Sequence, residues 1–144
     1  MSFAEFVKTL REREREKNRE FERFIHGLTV SYPHITIILF GSRAENRSHY
    51  LSDYDLLILT ENQVQCSEIT SIPLKLAIDL HCYSIEAIQE EIKRFNTIVI
   101  DALHSGTCIH DGGRSIDNIR SMVEERIAES GLVRMKEGWI PNSD

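Results

Sequence analysis

Gly41-Ser42-Arg43 closes an apolar run from Ile35 to Phe40, and Ser52-Asp53-Tyr54-Asp55 opens the next one. Residues two apart on a strand point the same way, so Asp53 and Asp55 converge on one side of a sheet at its end. A third acid, Asp79, lies inside the apolar segment from Lys75 to Cys82. Acids on largely apolar strands need a cation or several hydrogen bonds. Three of them beside a Gly-Ser turn suggest a site for Mg2+ or Mn2+, which take oxygen ligands and share them with phosphates. Two ions fit three carboxylates if one bridges, one activating an attacking oxygen and the other steadying a triphosphate and its pyrophosphate leaving group. Asp79 is then the base or orienter for an attacking hydroxyl. Gly41 permits a sharp turn. The N–H groups that follow it at a helix start, with the Ser42 hydroxyl, can hold a phosphate. Arg43 adds permanent charge for the triphosphate.

Each of these residues also has a plainer reading. Asp53 or Asp55 alone is a solvated turn acid, Asp79 alone a structural hydrogen-bond acceptor, and Ser52 a cap on a turn. Their combination is what favours the metal site. His81 shares the Asp79 face and is a candidate neighbour of the ligands. His49 lies between the Gly-Ser turn and Asp53, within reach of a phosphate or base. His26, His34, His104 and His110 read as surface or packing residues. Cys66, Cys82 and Cys108 are widely spaced, form no thiolate zinc pattern and predict no disulfide framework, with Cys82 a small buried hydrophobe.

The elements that must position these residues follow from periodicity. Residues 3–28 read as one helix, apolar at Phe3, Phe6, Val7 and Leu10 and again at Phe21, Phe24, Ile25 and Leu28. Between the two groups, Arg11 to Glu20 holds only charged residues and Asn18, a solvated helix middle or the stem of a partner-binding arm. Strands are predicted over 35–40, 54–60 and 75–83, and a short helix or turn over 42–48. Residues 61–73 are ambiguous, one loose helix at most. Ser84 caps a helix through Ile92, another covers about 96–104, an edge strand covers 107–110, and a last helix over 115–130 stops at Gly131. The tail with Trp139 and Ile140 either lies back on the core or offers an apolar anchor. The resulting fold class is α/β (α+β): a small mixed twisted sheet flanked by helices, with helices mainly on one face and the aspartates at an edge of the other. The division is a charged helix over 1–28, a core over 29–114, and a C-terminal helix and tail over 115–144.

A chain of 144 residues, 41% apolar and 28% charged, supports one core. It shows neither a bilayer-spanning stretch nor an apolar leader, so a cytoplasmic protein without membrane attachment is expected. The formal charge is −6. Residues 1–28 carry seven Lys/Arg against six Glu, which leaves −7 on the remainder. That balance disfavours long nucleic acid as an obligatory ligand, whereas a nucleotide's phosphates can be neutralised by a metal ion.

At these residues the chain resembles the minimal nucleotidyltransferase family, a branch of the DNA polymerase beta-like superfamily. Gly41 and Ser42 match its phosphate-holding pair, Asp53 and Asp55 its paired metal ligands, and Asp79 its third carboxylate. Asn46 stands where the family usually has glycine, and His49 lies near a position commonly held by arginine. The resemblance covers roughly residues 20–113. It implies a nucleotidyltransferase fold, ATP as substrate, and Mg2+ or Mn2+ on Asp53, Asp55 and Asp79. Free-standing members of this size are similar to the antitoxin half of toxin–antitoxin pairs, whose partner is a small helical HEPN-domain ribonuclease. Some transfer AMP from ATP to a tyrosine of that partner. The enzyme reading, AMP transfer to a protein hydroxyl, rests on the three aspartates. A binding antitoxin or regulatory subunit with weak catalysis is the alternative, and a small-molecule nucleotidyltransferase comes third. The apolar ends of the first helix and the tail suggest self-association or, preferably, a complex with the helical toxin.

Overall fold

The computed structural model describes residues 2–41 and 54–142. Helix α1 (Phe3–Ser31) starts at a capping box: the Glu5 N–H donates to Ser2 Oγ (3.1 Å) and the Ser2 N–H to Glu5 Oε2 (3.2 Å). Good helix formers then carry it to Tyr32, past the expected stop near Leu28 and up to Pro33. It is roughly 44 Å long.

Four strands form one mixed sheet: β1 (Thr36–Phe40), β2 (Tyr54–Thr60), β3 (Ile78–Ser84) and β4 (Thr107–Asp111), in the order β3-β2-β1-β4. β1 runs antiparallel to β2 and β4, whereas β2 and β3 are parallel. A parallel pair needs a crossover. Helix α2 (Gln63–Thr70) supplies it, capped by Asn62, which accepts from the Gln65 N–H at 3.0 Å. The ambiguous stretch is thus a definite helix, and the third strand starts at Ile78 rather than Lys75.

Helix α3 (Ile85–Lys93) starts where expected, with the Ala87 N–H donating to Ser84 Oγ at 3.0 Å. α4 (Thr97–Ser105) and α5 (Ile116–Ser130) follow. The cap of α5 is Asp111, which accepts from the N–H groups of Ser115 (3.1 Å) and Ile116 (3.4 Å) and from the Thr36 hydroxyl (2.7 Å). Gly131, at φ +69°, ends α5 in the left-handed region. A hairpin of β5 (Leu132–Met135) and β6 (Gly138–Pro141), absent from the sequence expectations, occupies the tail.

Helices cover both faces of the sheet, which corrects the expectation of mainly one. Leu28 of α1 and Ile69 of α2 pack with Ile35, Ile37, Leu56 and Ile58, joined by Phe21, Phe24 and Ile25. On the other face Ile88, Ile92, Val99, Ile100, Leu103, Ile119 and Val123 of α3, α4 and α5 pack with Ile38, Leu57 and Leu59. Two arginines of α5 bind that layer from outside. Arg120 donates to the carbonyls of Leu103 (3.1 Å) and Gly106 (2.7 Å), and Arg126 to that of Lys93 (3.1 Å). The hairpin lies back on the same layer. Trp139 Nε1–H donates to Asp101 Oδ1 (2.7 Å), its ring meets Phe95 edge-on at 5.4 Å, and Arg134 pairs with Asp101 at 3.0 Å. All three cysteines are free, but Cys66 and Cys82 meet across α2 and β3 with their sulfurs 2.7 Å apart. Burial, then the bond with Cys66, pushes the Cys82 thiol pKa up. None of the described helices is long and apolar enough to cross a membrane.

Candidate active site

The candidate residues gather where β1 ends and β2 and β3 begin. Along β2 the side chains alternate, Tyr54, Leu56 and Ile58 toward α1 and Asp55, Leu57 and Leu59 toward α3–α5. Asp55 faces Phe40 across the antiparallel pair and Asp79 across the parallel one. The two carboxylates therefore stand abreast on neighbouring strands, whose backbones are about 4.8 Å apart. They occupy the rim of the face covered by α3–α5. The next row inward is Ile38, Leu57 and His81, and beyond it come Leu59 and Tyr83.

Gly41 follows Phe40 at φ +76°, in the region that favours glycine. A Cβ there would overlap Asp55 Oδ2 and sit 3.2 Å from its Cγ. Glycine is required twice at this position, for the turn and for the close approach to the carboxylate. Asp79 is open, its side chain 62% exposed, and its Oδ2 lies 3.3 Å from Nε2 of the less exposed His81. The His81 ring is tilted against Phe40 at 6.0 Å. His81 thus orients the Asp79 carboxylate, while His104 bonds with Glu124 (2.8 Å) and His110 with the Pro33 carbonyl (3.2 Å).

Two carboxylates abreast repel, and a cation between them relieves that repulsion. Asp55 and Asp79 present the hard oxygen donors that suit an ion of the magnesium class, with no side chain at Gly41 to obstruct them. Ser42, Arg43, Asn46, His49, Ser52 and Asp53 lie outside the described residues. Among the described residues no group of three His, Cys, Asp or Glu side chains is placed to hold a metal ion. What the fold assembles is a pair, with Asp53 next but one to Asp55 in sequence.

The family model for the polymerase beta nucleotidyltransferase domain matches residues 25–112, from the second half of α1 through β4. The chain belongs to that family. Its chemistry is nucleotidyl transfer, and the family uses nucleoside triphosphates with divalent metals. No curated protein matches the chain.

The sequence reading passed over Tyr54, the middle residue of Asp53-Tyr54-Asp55. It is buried, its ring stacks on Phe21 at 3.9 Å with the planes 1° apart, and its hydroxyl donates to Asn18. The Lys17 ammonium lies 5.4 Å above the same ring. Period-two alternation could have found it, because a residue between two outward acids must face the other way. The polar middle of α1 gave no sign of a partner.

Proposed function

We propose that this nucleotidyltransferase transfers AMP from ATP to a protein hydroxyl, and that the acceptor is a tyrosine of a small helical HEPN-type ribonuclease which it neutralises as an antitoxin. The observation that carries the catalytic half is the register of Asp55 with Asp79, abreast beside Gly41. Asp55 and Asp79, with Asp53, would hold Mg2+ or Mn2+. When bound, such an ion supplies positive charge that polarises the phosphates and offsets the charge of the departing pyrophosphate. The acceptor oxygen bonds to the α-phosphorus, the bond from that phosphorus to the bridging oxygen breaks, and pyrophosphate leaves with its electron pair. Asp79, open to solvent and oriented by His81, takes the hydroxyl proton. Gly41, Ser42, Arg43 and Ser52 would hold the triphosphate.

Exposure at the start of α1 supports the partner half. Phe3 is 80% exposed and Phe6 49%, an apolar stripe suited to packing against another helix. The same stripe favours the second reading, an antitoxin that neutralises by binding alone. Co-purification with a helical partner, then incubation with ATP and Mg2+ and mass analysis of both chains, separates the two. Added AMP on the partner, lost in Asp55→Asn, supports transfer. Neutralisation by Asp55→Asn equal to that of the parent, without any added AMP, supports binding.

A further inference from the structure

The start of β2 is held from both sides. Its Tyr54 N–H donates to the Ala77 carbonyl at 3.0 Å, tying it to the residue before β3. On the α1 face, the Tyr54 ring is stacked flat on Phe21 and its hydroxyl is bonded to Asn18. Asp55 is the next residue, and its position beside Asp79 depends on where this strand end sits. We infer that Tyr54 is a positioning residue for the carboxylate pair, clasped by Asn18 and Phe21, so that the middle of α1 is part of the apparatus that sets the metal-binding geometry. The inference rests on reading Asp55 and Asp79 as ligands.

The physical case is one of rigidity. Asp79 is 62% exposed, and the Gly41 backbone presses against Asp55 from the rim side. The opposite face of the same strand end is packed by Tyr54 against α1, and that packing holds the backbone from which Asp55 projects. The Tyr54–Phe21 ring contact adds directional geometry to the area it buries, which an aliphatic contact there does not. Residues that orient metal ligands without touching the metal typically control affinity by about 10-fold to 100-fold.

The test titrates Mn2+ into the full chain and reads the free ion by its electron paramagnetic resonance, below the melting transition of every protein compared. Asp55→Asn sets the level of adventitious surface binding. Tyr54→Leu is expected to bind Mn2+ about 10-fold more weakly than the parent, and Tyr54→Phe, which keeps the stack, to stay within about twofold of it. Phe21→Leu removes the stack from the helix side and is expected to follow Tyr54→Leu; it carries the test if Tyr54→Leu does not fold. A merely structural Tyr54 would lower the melting temperature and leave Mn2+ affinity at the parental value, which overturns the inference while sparing the ligand reading. A parent that binds no better than Asp55→Asn overturns the ligand reading and this inference with it.

Discussion

The two faces of the sheet finish differently at the same row. Toward α1 the row ends in Tyr54, shut in by Phe21, Asn18 and Lys17. Toward α3–α5 it ends in Asp55 and Asp79, with Asp79 open to solvent. One residue along the strand separates anchorage from chemistry. Burial and openness are thus assigned by alternation within a strand, so half-buried Asp55 and exposed Asp79 sit on a backbone packed from behind.

The comparison breaks first at the acids. Asp55→Asn is expected to reduce nucleotidyl transfer on the order of 10²–10³-fold, the scale of losing one oriented electrostatic group, while leaving the melting temperature equal or higher. Transfer at the parental rate, or a destabilised fold, would show that the rim does structural work. One residue along, Leu56→Ala should do the reverse. It opens a cavity on the α1 side and is expected to cost about 3 kcal/mol by urea denaturation, with Mn2+ affinity retained by the molecules that remain folded.

Gly41→Ala should affect both properties. A left-handed non-glycine residue costs about 1–3 kcal/mol, and its Cβ would displace the Asp55 carboxylate. A variant with parental stability and metal affinity would refute the close approach. The smallest effect is expected at the start of α1. Deleting residues 2–10 should change stability by less than about 0.5 kcal/mol and abolish capture of a helical partner. A clear fall in melting temperature would place Phe3 and Phe6 in the core instead.

Much of this arrangement was legible in the sequence, because its signals are local. The β-branched run at Ile35–Phe40 gave β1, the Ser84 hydroxyl gave the start of α3, and Gly131 gave the end of α5. What was missed depends on tertiary partners. The β5–β6 hairpin has four-residue strands that carry Arg134 on one side and expose Met135 and Ile140, so no alternation announces it. The sequence left Trp139 either folded back on the core or free as an anchor, and its indole lies on Asp101 and Phe95. The Tyr54 clasp was hidden because its helix partners include Asn18 and Lys17, which hydropathy counts as solvent-facing. The layering of helices on both faces was underestimated because α2 is short and mostly polar, with only Cys66 and Ile69 buried.

The arginine bonds from α5 bear on how the chain is made. The family match ends at residue 112, yet Ile116, Ile119 and Val123 complete the apolar layer over β1 and β2. Arg120 and Arg126 close the carbonyl ends of α4 and α3, which would otherwise face water. The matched segment and the packed apolar layer are therefore different lengths. During synthesis, the strands bearing Asp55 and Asp79 emerge well before α5, the helix that completes the layer beneath them.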